Sequence, residues 1–443
     1  MEGDTVKTLG IDLGTTTVSA CVQEDGLPLY SAAKPHGAAS VPACVQDAET
    51  VLYAAQEALE EALLAHPDVG AVGLTGAMHG IVCLDGAGLP CSPVQTWEDA
   101  RILESEAGRA LAGKARAFDP GIRPGYGLLT CLWNEAQGLL GDAESVCTPA
   151  DAFGCRLTGR RRPLLHPSMA ASFGFYSLET HAFDKEAFVS LGGREEILPE
   201  TGSGSPVLGF FEGPGGKIPV YAALGDCQAA FLGSGAGPGD LVVNVGTGSQ
   251  IHFGTKAYRT VPGLETRPFT DGTYLLCGAA LCGGEAYAVL ERFFASYARM
   301  LGIEERQYGV MERILDAWEA EGNGTCGLSV DPRFLGSRSG ENVTGSITGL
   351  TAANFTPGNL TAGLLTGMME ELRALAGPLE ADDSFARAGL FLAGGACRRI
   401  PYLRKAAEAV FGRPAVLGPA AEEAAFGVAV YAAGAVEKPK KLC

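Results

Sequence analysis

Two carboxylates in this chain end apolar runs and stand close to glycine: Asp12, after Leu9-Gly10-Ile11, and Asp226, after Val220–Gly225. An aspartate placed like Asp226 can orient an alcohol and take its proton while an O–P bond forms. It can equally be the N-cap of a helix. Asp12 is followed two residues later by Gly14-Thr15-Thr16, and after Leu241–Val245 the pattern returns as Gly246-Thr247-Gly248. A strand, a tight turn of Gly and Thr and a returning strand gather backbone N–H groups and hydroxyls at one point, a geometry suited to phosphate oxygens. Two such turns in matching halves suggest two sides of one polyphosphate, against the plainer reading of two unrelated hairpins. A carboxylate beside bound phosphate is repelled unless Mg²⁺ stands between them, so Asp12 is a candidate to organise that ion, or else a turn cap.

Two further clusters have the types that small molecules need. Met78-His79-Gly80 ends the apolar run Ala71–Thr75, and Trp97-Glu98-Asp99-Ala100-Arg101 opens a mainly helical stretch. A carbohydrate needs donors and acceptors for its hydroxyls and an aromatic ring for its CH face. His79, Asp99 and Trp97 supply them, although each alone also suits a loop, helix-start or core role. Glycine pairs mark two junctions in the second half. Gly283-Gly284 precedes a helix from Glu285 to about Leu301, and Gly394-Gly395 separates the strand Gly389–Ala393 from a helix at Ile400–Phe411. Glycine there lets a ligand approach the backbone and leaves helix N–H groups to meet it. Neither Gly113-Lys114 nor Gly216-Lys217 is followed by Ser or Thr, so there is no Walker loop and the paired turns must hold any nucleotide.

The elements that position these residues repeat. Strands at Thr8–Leu13 and Thr16–Val22 flank the first turn, Asp25-Gly26 turns into a third strand, and a helix from about Thr50 to Ala65 carries Leu52, Ala55, Leu59, Ala62 and Leu63 on one face. The second half opens the same way around Gly246-Thr247-Gly248. Glycines 233, 235, 237 and 239 with Pro238 place the domain boundary near 226–240. The segment 201–217 reads as a shortened loop, and 336–349 as a Gly/Ser/Asn loop.

With 443 residues the chain has room for two domains with substantial cores. A net charge of −18 argues against an extended nucleic-acid or anionic-membrane surface. No apolar stretch reaches the ~20 residues that span a bilayer. Thirteen scattered cysteines read as reduced thiols in a cytoplasmic protein.

These pieces, in this order, resemble the FGGY carbohydrate kinases of the actin/hexokinase/Hsp70 ATPase superfamily over almost the whole chain. Leu9–Val22 and Val242–Gln250 resemble the two phosphate motifs, and Phe391–Arg399 with Glu422–Val430 the adenine-site segments. The resemblance implies an α/β fold of two ribonuclease-H-like domains with an interdomain cleft. An N-terminal domain (1–225) would carry the sugar site and first phosphate motif, a C-terminal domain (226–436) the second phosphate and adenine motifs, with 437–443 a tail. It implies ATP and Mg²⁺, with Asp226 as base and Asp12 organising the metal. Thr15, Thr16, Gly246 and Thr247 would hold phosphates. Gly394, Gly395 and Cys397 would line the nucleotide pocket with Gly283 and Gly284 nearby, and Met78, His79, Trp97 and Asp99 would face the sugar.

On the same resemblance the protein is a monomer or homodimer whose partners are a sugar and ATP. Gly76–Gly80 and Leu224–Gln228 are similar to xylulose and other ketose kinases. Thr96–Arg101 and Ala170–Tyr176 point more narrowly, to family members acting on sedoheptulose, making sedoheptulose 7-phosphate. D-xylulose or another ketose or polyol is the alternative sugar. An actin-like ATPase and a non-catalytic sugar sensor are alternatives of another class. The sensor is suggested by Ser19, which stands where kinases of the family usually carry Lys or Arg.

Overall fold

The strand Thr8–Leu13 (β1) is buried along nearly its whole length, as befits a strand covered on both faces. The computed structural model that shows this describes residues 6–38, 42, 44–322, 324, 327–338 and 343–437. β1 pairs antiparallel with Thr17–Glu24 (β2), which pairs antiparallel with Leu27–Pro35 (β3). Asp25 and Gly26, at φ 52° and 74°, make the two-residue turn between them. The helix Ala48–Ala65, N-capped by Asp47, then returns the chain to Ala71–Gly76 (β4), parallel to β1. Val207–Gly213 (β5) and Gly216–Tyr221 (β6) form a hairpin on the far edge, and the short Leu224–Gly225 (β7) pairs in parallel with β4. The stretch read from sequence as a shortened loop thus contains a strand. The glycines and prolines at its two ends belong to turns that hid it.

Ser234–Thr266 and Tyr274–Ala421 form a second compact unit. Leu241–Val245 (β8), Ser249–Thr255 (β9) and Tyr274–Ala280 (β10) make an antiparallel meander. β8 runs parallel to Leu390–Ala393 (β11), and β11 to Ala415–Leu417 (β12). The order β10-β9-β8-β11-β12 repeats β3-β2-β1-β4 and its parallel neighbour, which is the duplicated α/β plan expected. Ser346–Thr348, expected in a loop, is a strand paired with Ser329–Asp331.

The last helix, Glu423–Glu437, belongs to the first unit, together with everything up to Gly233 and the segment Arg267–Thr273. Paired glycines on β1 and β4 explain why. A Cβ on Gly10 would lie 1.9 Å from the Ala425 carbonyl oxygen, and one on Gly73 2.1 Å from that of Val428. Bare backbone at these two facing positions lets the helix lie directly on the sheet, and Thr8 Oγ1 donates to the Ala429 carbonyl at 2.6 Å. The division at 225/226 read from sequence therefore differs from these compact units in three places: helix Asp226–Gly233 stays with the first unit, and Arg267–Thr273 and Glu423–Glu437 return to it. The tail beyond Glu437 lies outside the described residues. No disulfide joins the described cysteines. Among the described residues no helix is long and apolar enough to cross a membrane.

Candidate active site

Three neighbouring strands of the first unit end together. Asp12 on β1 stands opposite Thr75 on β4, and Thr75 opposite Leu224 on β7, whose carbonyl accepts from Thr75 Oγ1 at 2.9 Å. Asp12, the Gly76–His79 loop and Asp226 therefore leave the sheet at one level. Gly225 is closely packed there: a Cβ would sit 2.4 Å from Gln228 Oε1 and 2.6 Å from Met78 Sδ. Met78 Sδ also lies 3.8 Å from Cys227 Sγ, beside Asp226. Asp226 Oδ1 accepts from the Cys227 N–H at 2.7 Å. Burial raises its pKa, opposed by the Arg267 guanidinium. Asp12 is pushed up to about 7, first by burial and then by the charges of Asp226 and Glu422. Its Oδ1 is buried without a hydrogen-bond partner among the described residues. Glu422, read only as part of an adenine-site segment, is thus a neighbour of Asp12. Nothing in the local sequence of Asp12 could reveal it, because 410 residues separate the two positions (422 − 12). Ser19, opposite Asp12 in the β1–β2 ladder, is buried.

The expected sugar residues converge beside this point. Gly80 packs its Cα against the backbone of Gln95, Thr96 and Trp97, and Gly125, at φ 85°, against the Trp97 carbonyl, where a Cβ would come within 1.9 Å. His79 takes the left-handed conformation (φ 73°), rare for a residue with a side chain. Its ring stacks on Tyr126 with centroids 4.4 Å apart, and Nδ1 donates to the Ser172 carbonyl at 2.7 Å. A carbonyl only accepts, so Nδ1 carries a proton. Asp99 is buried and accepts from Arg101 through both oxygens (Nε at 2.9 Å, Nη2 at 2.6 Å). The acceptor expected to face a sugar is thus already engaged by a cation, and Arg101 joins the site as a residue given no role from sequence. Tyr126 was missed as well.

Trp97 reaches the first turn. Its Nε1 donates to Thr15 Oγ1 at 3.2 Å. The Thr15 carbonyl accepts from Gln46 Nε2 at 2.7 Å and meets His36 Nε2 at 2.9 Å, and the Thr16 carbonyl accepts from the His36 N–H. These contacts tie down carbonyls and leave the hydroxyl hydrogen of Thr15 to be donated elsewhere.

In the second unit Gly246, Thr247, Gly283, Gly284 and Gly394 meet. The Gly284 and Glu285 N–H groups donate to the Gly246 and Thr247 carbonyls at 2.8 and 3.0 Å. A Cβ on Gly283 would lie 2.3 Å from the Gly248 carbonyl oxygen, and one on Gly394 (φ 89°) 2.4 Å from that of Val245. The first N–H groups of helix Gly284–Met300 thus brace the turn rather than await a ligand. Gly395 begins a short helix to Arg399 that carries the buried Cys397, ahead of the helix Pro401–Phe411.

The sequence model of the FGGY family of carbohydrate kinases, N-terminal domain, matches residues 7–233, and that of its C-terminal domain residues 241–436. A sedoheptulokinase of Mus musculus is 27% identical over 96% of this chain and 96% of its own. A xylulose kinase of Streptomyces rubiginosus is 27% identical over 96% and 87%. In structure, a xylulose kinase from Rhodospirillum rubrum superposes with a TM-score of 0.77 at 21% identity, covering 99% of this chain and 91% of that one. The chain belongs to the FGGY family of carbohydrate kinases, and its activity is that of an ATP-dependent phosphotransferase. Its fold is the paired ribonuclease-H-like α/β fold of the actin/hexokinase superfamily.

Proposed function

We propose that the protein phosphorylates the terminal hydroxyl of a ketose, with sedoheptulose as the preferred sugar and sedoheptulose 7-phosphate as the product. The observation that carries this reading is the shared level of Asp12, Met78-His79 and Asp226 at three adjoining strand ends. Asp226 accepts the hydroxyl proton as the new O–P bond forms and the bond from the γ-phosphorus to the leaving ADP oxygen breaks. Its raised pKa favours that transfer. Arg267 opposes the upward push of burial on this carboxylate. The His79 ring meets a sugar hydroxyl, and Met78 and Trp97 supply apolar contact.

The unpartnered, buried Oδ1 of Asp12, facing the charges of Asp226 and Glu422, fits a divalent cation. Mg²⁺ held by Asp12 would offset phosphate charge. Thr15 and Thr16 in the first unit, and Gly246 and Thr247 in the second, contact phosphates. Gly394, Gly395 and Cys397 line the nucleotide site beside Gly283 and Gly284. The name of the Mus musculus relative supports the choice of sugar. The buried Ser19 opposite Asp12 favours a second reading, in which the same sites bind sugar and nucleotide with little turnover.

A panel of sugars with ADP release as readout decides between them. Sedoheptulose is expected to exceed D-xylulose in kcat/KM by at least about tenfold, since polar groups unpaired around a shorter sugar penalise it. Equal values, or a preference for xylulose, would overturn the sugar. ADP release with none of them would favour the second reading.

A further inference from the structure

The motif Ala170–Tyr176 and the short helix leading into it have no part in the chemistry above, yet together they touch both sides of the site. Ser172, buried at the end of the short helix Pro167–Ala171, accepts the His79 N–H through Oγ at 3.1 Å and receives the His79 ring through its carbonyl at 2.7 Å. Its own hydroxyl donates to the Met169 carbonyl at 2.7 Å. Four residues earlier Ser168, also buried, accepts the N–H of Gly225 through Oγ at 3.0 Å. That hydroxyl lies 2.8 Å from Nδ1 of the buried His166, whose Nδ1 also accepts the Ser168 N–H at 3.1 Å. An Nδ1 that accepts a backbone N–H has a lone pair, so the Ser168 hydroxyl donates to it and keeps its own lone pairs for Gly225. The run is pinned from outside as well: Leu128 N–H donates to the Phe173 carbonyl, and Phe175 N–H to Asp119 Oδ2, each at 2.9 Å.

One short element thus grips the residue that presents its ring and the residue immediately before Asp226. We propose that Ser168 and Ser172 are positioning residues that fix the separation between His79 and Asp226, and so the length of ketose whose terminal hydroxyl reaches the carboxylate. This rests on the reading of Asp226 as base. The left-handed backbone of His79 makes the grip necessary, because an unheld residue relaxes to negative φ and carries its ring away.

Ser172→Ala and Ser168→Ala test it. S172A is expected to raise KM for the preferred ketose by about three- to tenfold and to narrow its advantage over a five-carbon ketose. S168A is expected to lower kcat by about the same factor with little change in sugar KM. ADP affinity stays unchanged in both, and S172A adds nothing to His79→Ala. Amide hydrogen exchange on the sugar-free enzyme should quicken at His79 in S172A and at Gly225 in S168A. Equal losses on sugar and nucleotide parameters, an additive double variant, or unchanged exchange at both amides would overturn the brace. A wild type that phosphorylates no sugar would overturn the proposed function instead, and the exchange measurement would still decide the brace.

Discussion

The two Gly-Thr turns occupy the same place in two copies of one sheet plan, yet they are held by different means. Side chains brace the first turn: Trp97 on the Thr15 hydroxyl, His36 and Gln46 on the Thr15 carbonyl. Backbone braces the second, where the start of a helix donates to the Gly246 and Thr247 carbonyls and Gly283 and Gly394 pass within van der Waals reach. A turn held by side chains can be tuned one atom at a time and linked to whatever else those side chains touch. A turn held by backbone is rigid, and a Cβ added to the glycines packed against it, Gly283 or Gly394, would collide with its carbonyls or their neighbours. The first unit also carries the carboxylates and the expected sugar residues, so the adjustable turn is the one beside the chemistry.

The largest effect should fall on the first unit alone. Asp226→Asn keeps shape and removes the base, so kcat should drop by ~10²–10⁴ while nucleotide affinity changes little. Steady-state rates with ADP titration check this, and near-normal turnover would move the base elsewhere.

Asp12 separates the units by pH. Its carboxyl is raised on folding from 3.8 to about 7. Between those values the folded protein holds more protons than the unfolded chain, so stability falls as pH rises through that window and is level above it. Asp151, also raised to about 7, and Asp226 act with the same sign. In divalent-free buffer the wild type should lose on the order of a few kcal/mol from about pH 4 to 7. Asp12→Asn should flatten part of that fall, and Mg²⁺ at pH 8 should stabilise the wild type more than the variant. Identical pH slopes in urea melts would remove Asp12 from the account.

How much of this was legible in the sequence depends on where the information lies along the chain. Asp12 with its turn and Asp25-Gly26 are local patterns that formed where their residues placed them, whereas the apolar run before Asp226 formed two short strands, Gly216–Tyr221 and Leu224–Gly225. Glu422 beside Asp12, Ser168 beneath Gly225 and Ser172 beside His79 are contacts between distant segments, and no periodicity encodes them. Gly10 and Gly73 look like ordinary strand glycines until Glu423–Glu437 is seen lying on them, which is why the last helix was assigned with its sequence neighbours. Asp99 is the local counterpart: Arg101, two residues on, donates to both its oxygens, which orients the carboxylate and leaves further lone pairs on each oxygen.

In the second unit the test is steric. Gly283→Ala would bring a Cβ to 2.3 Å from the Gly248 carbonyl oxygen and 2.4 Å from its carbon, two atoms with no side-chain freedom to yield. The turn must shift, at a cost of about 1–3 kcal/mol, so ADP binding should weaken by roughly tenfold or more. Sugar binding to the nucleotide-free enzyme should be unchanged. Calorimetric titration of each ligand separates the two, and a variant with normal ADP affinity would show that this turn has other supports.

The smallest effect is the most informative about the first turn. Trp97→Phe keeps an aromatic face for the sugar and removes only the indole N–H that meets Thr15 Oγ1 at 3.2 Å. If that contact orients the threonine hydroxyl toward a phosphate, its loss frees the hydroxyl to rotate. A neutral hydrogen bond is worth about 0.5–1.5 kcal/mol net, which predicts a roughly two- to tenfold rise in KM for ATP at nearly constant sugar KM. Thr15→Val removes the same link from its other end, so the double variant should be no worse than Thr15→Val alone. A purely apolar role for the indole predicts the reverse: Trp97→Phe would move the sugar KM and leave ATP alone. Trp97→Ala should move both, because it strips the ring as well as the N–H. A cycle in which Trp97→Phe and Thr15→Val add independently would show that the first turn is held, like the second, without help from side chains across the site.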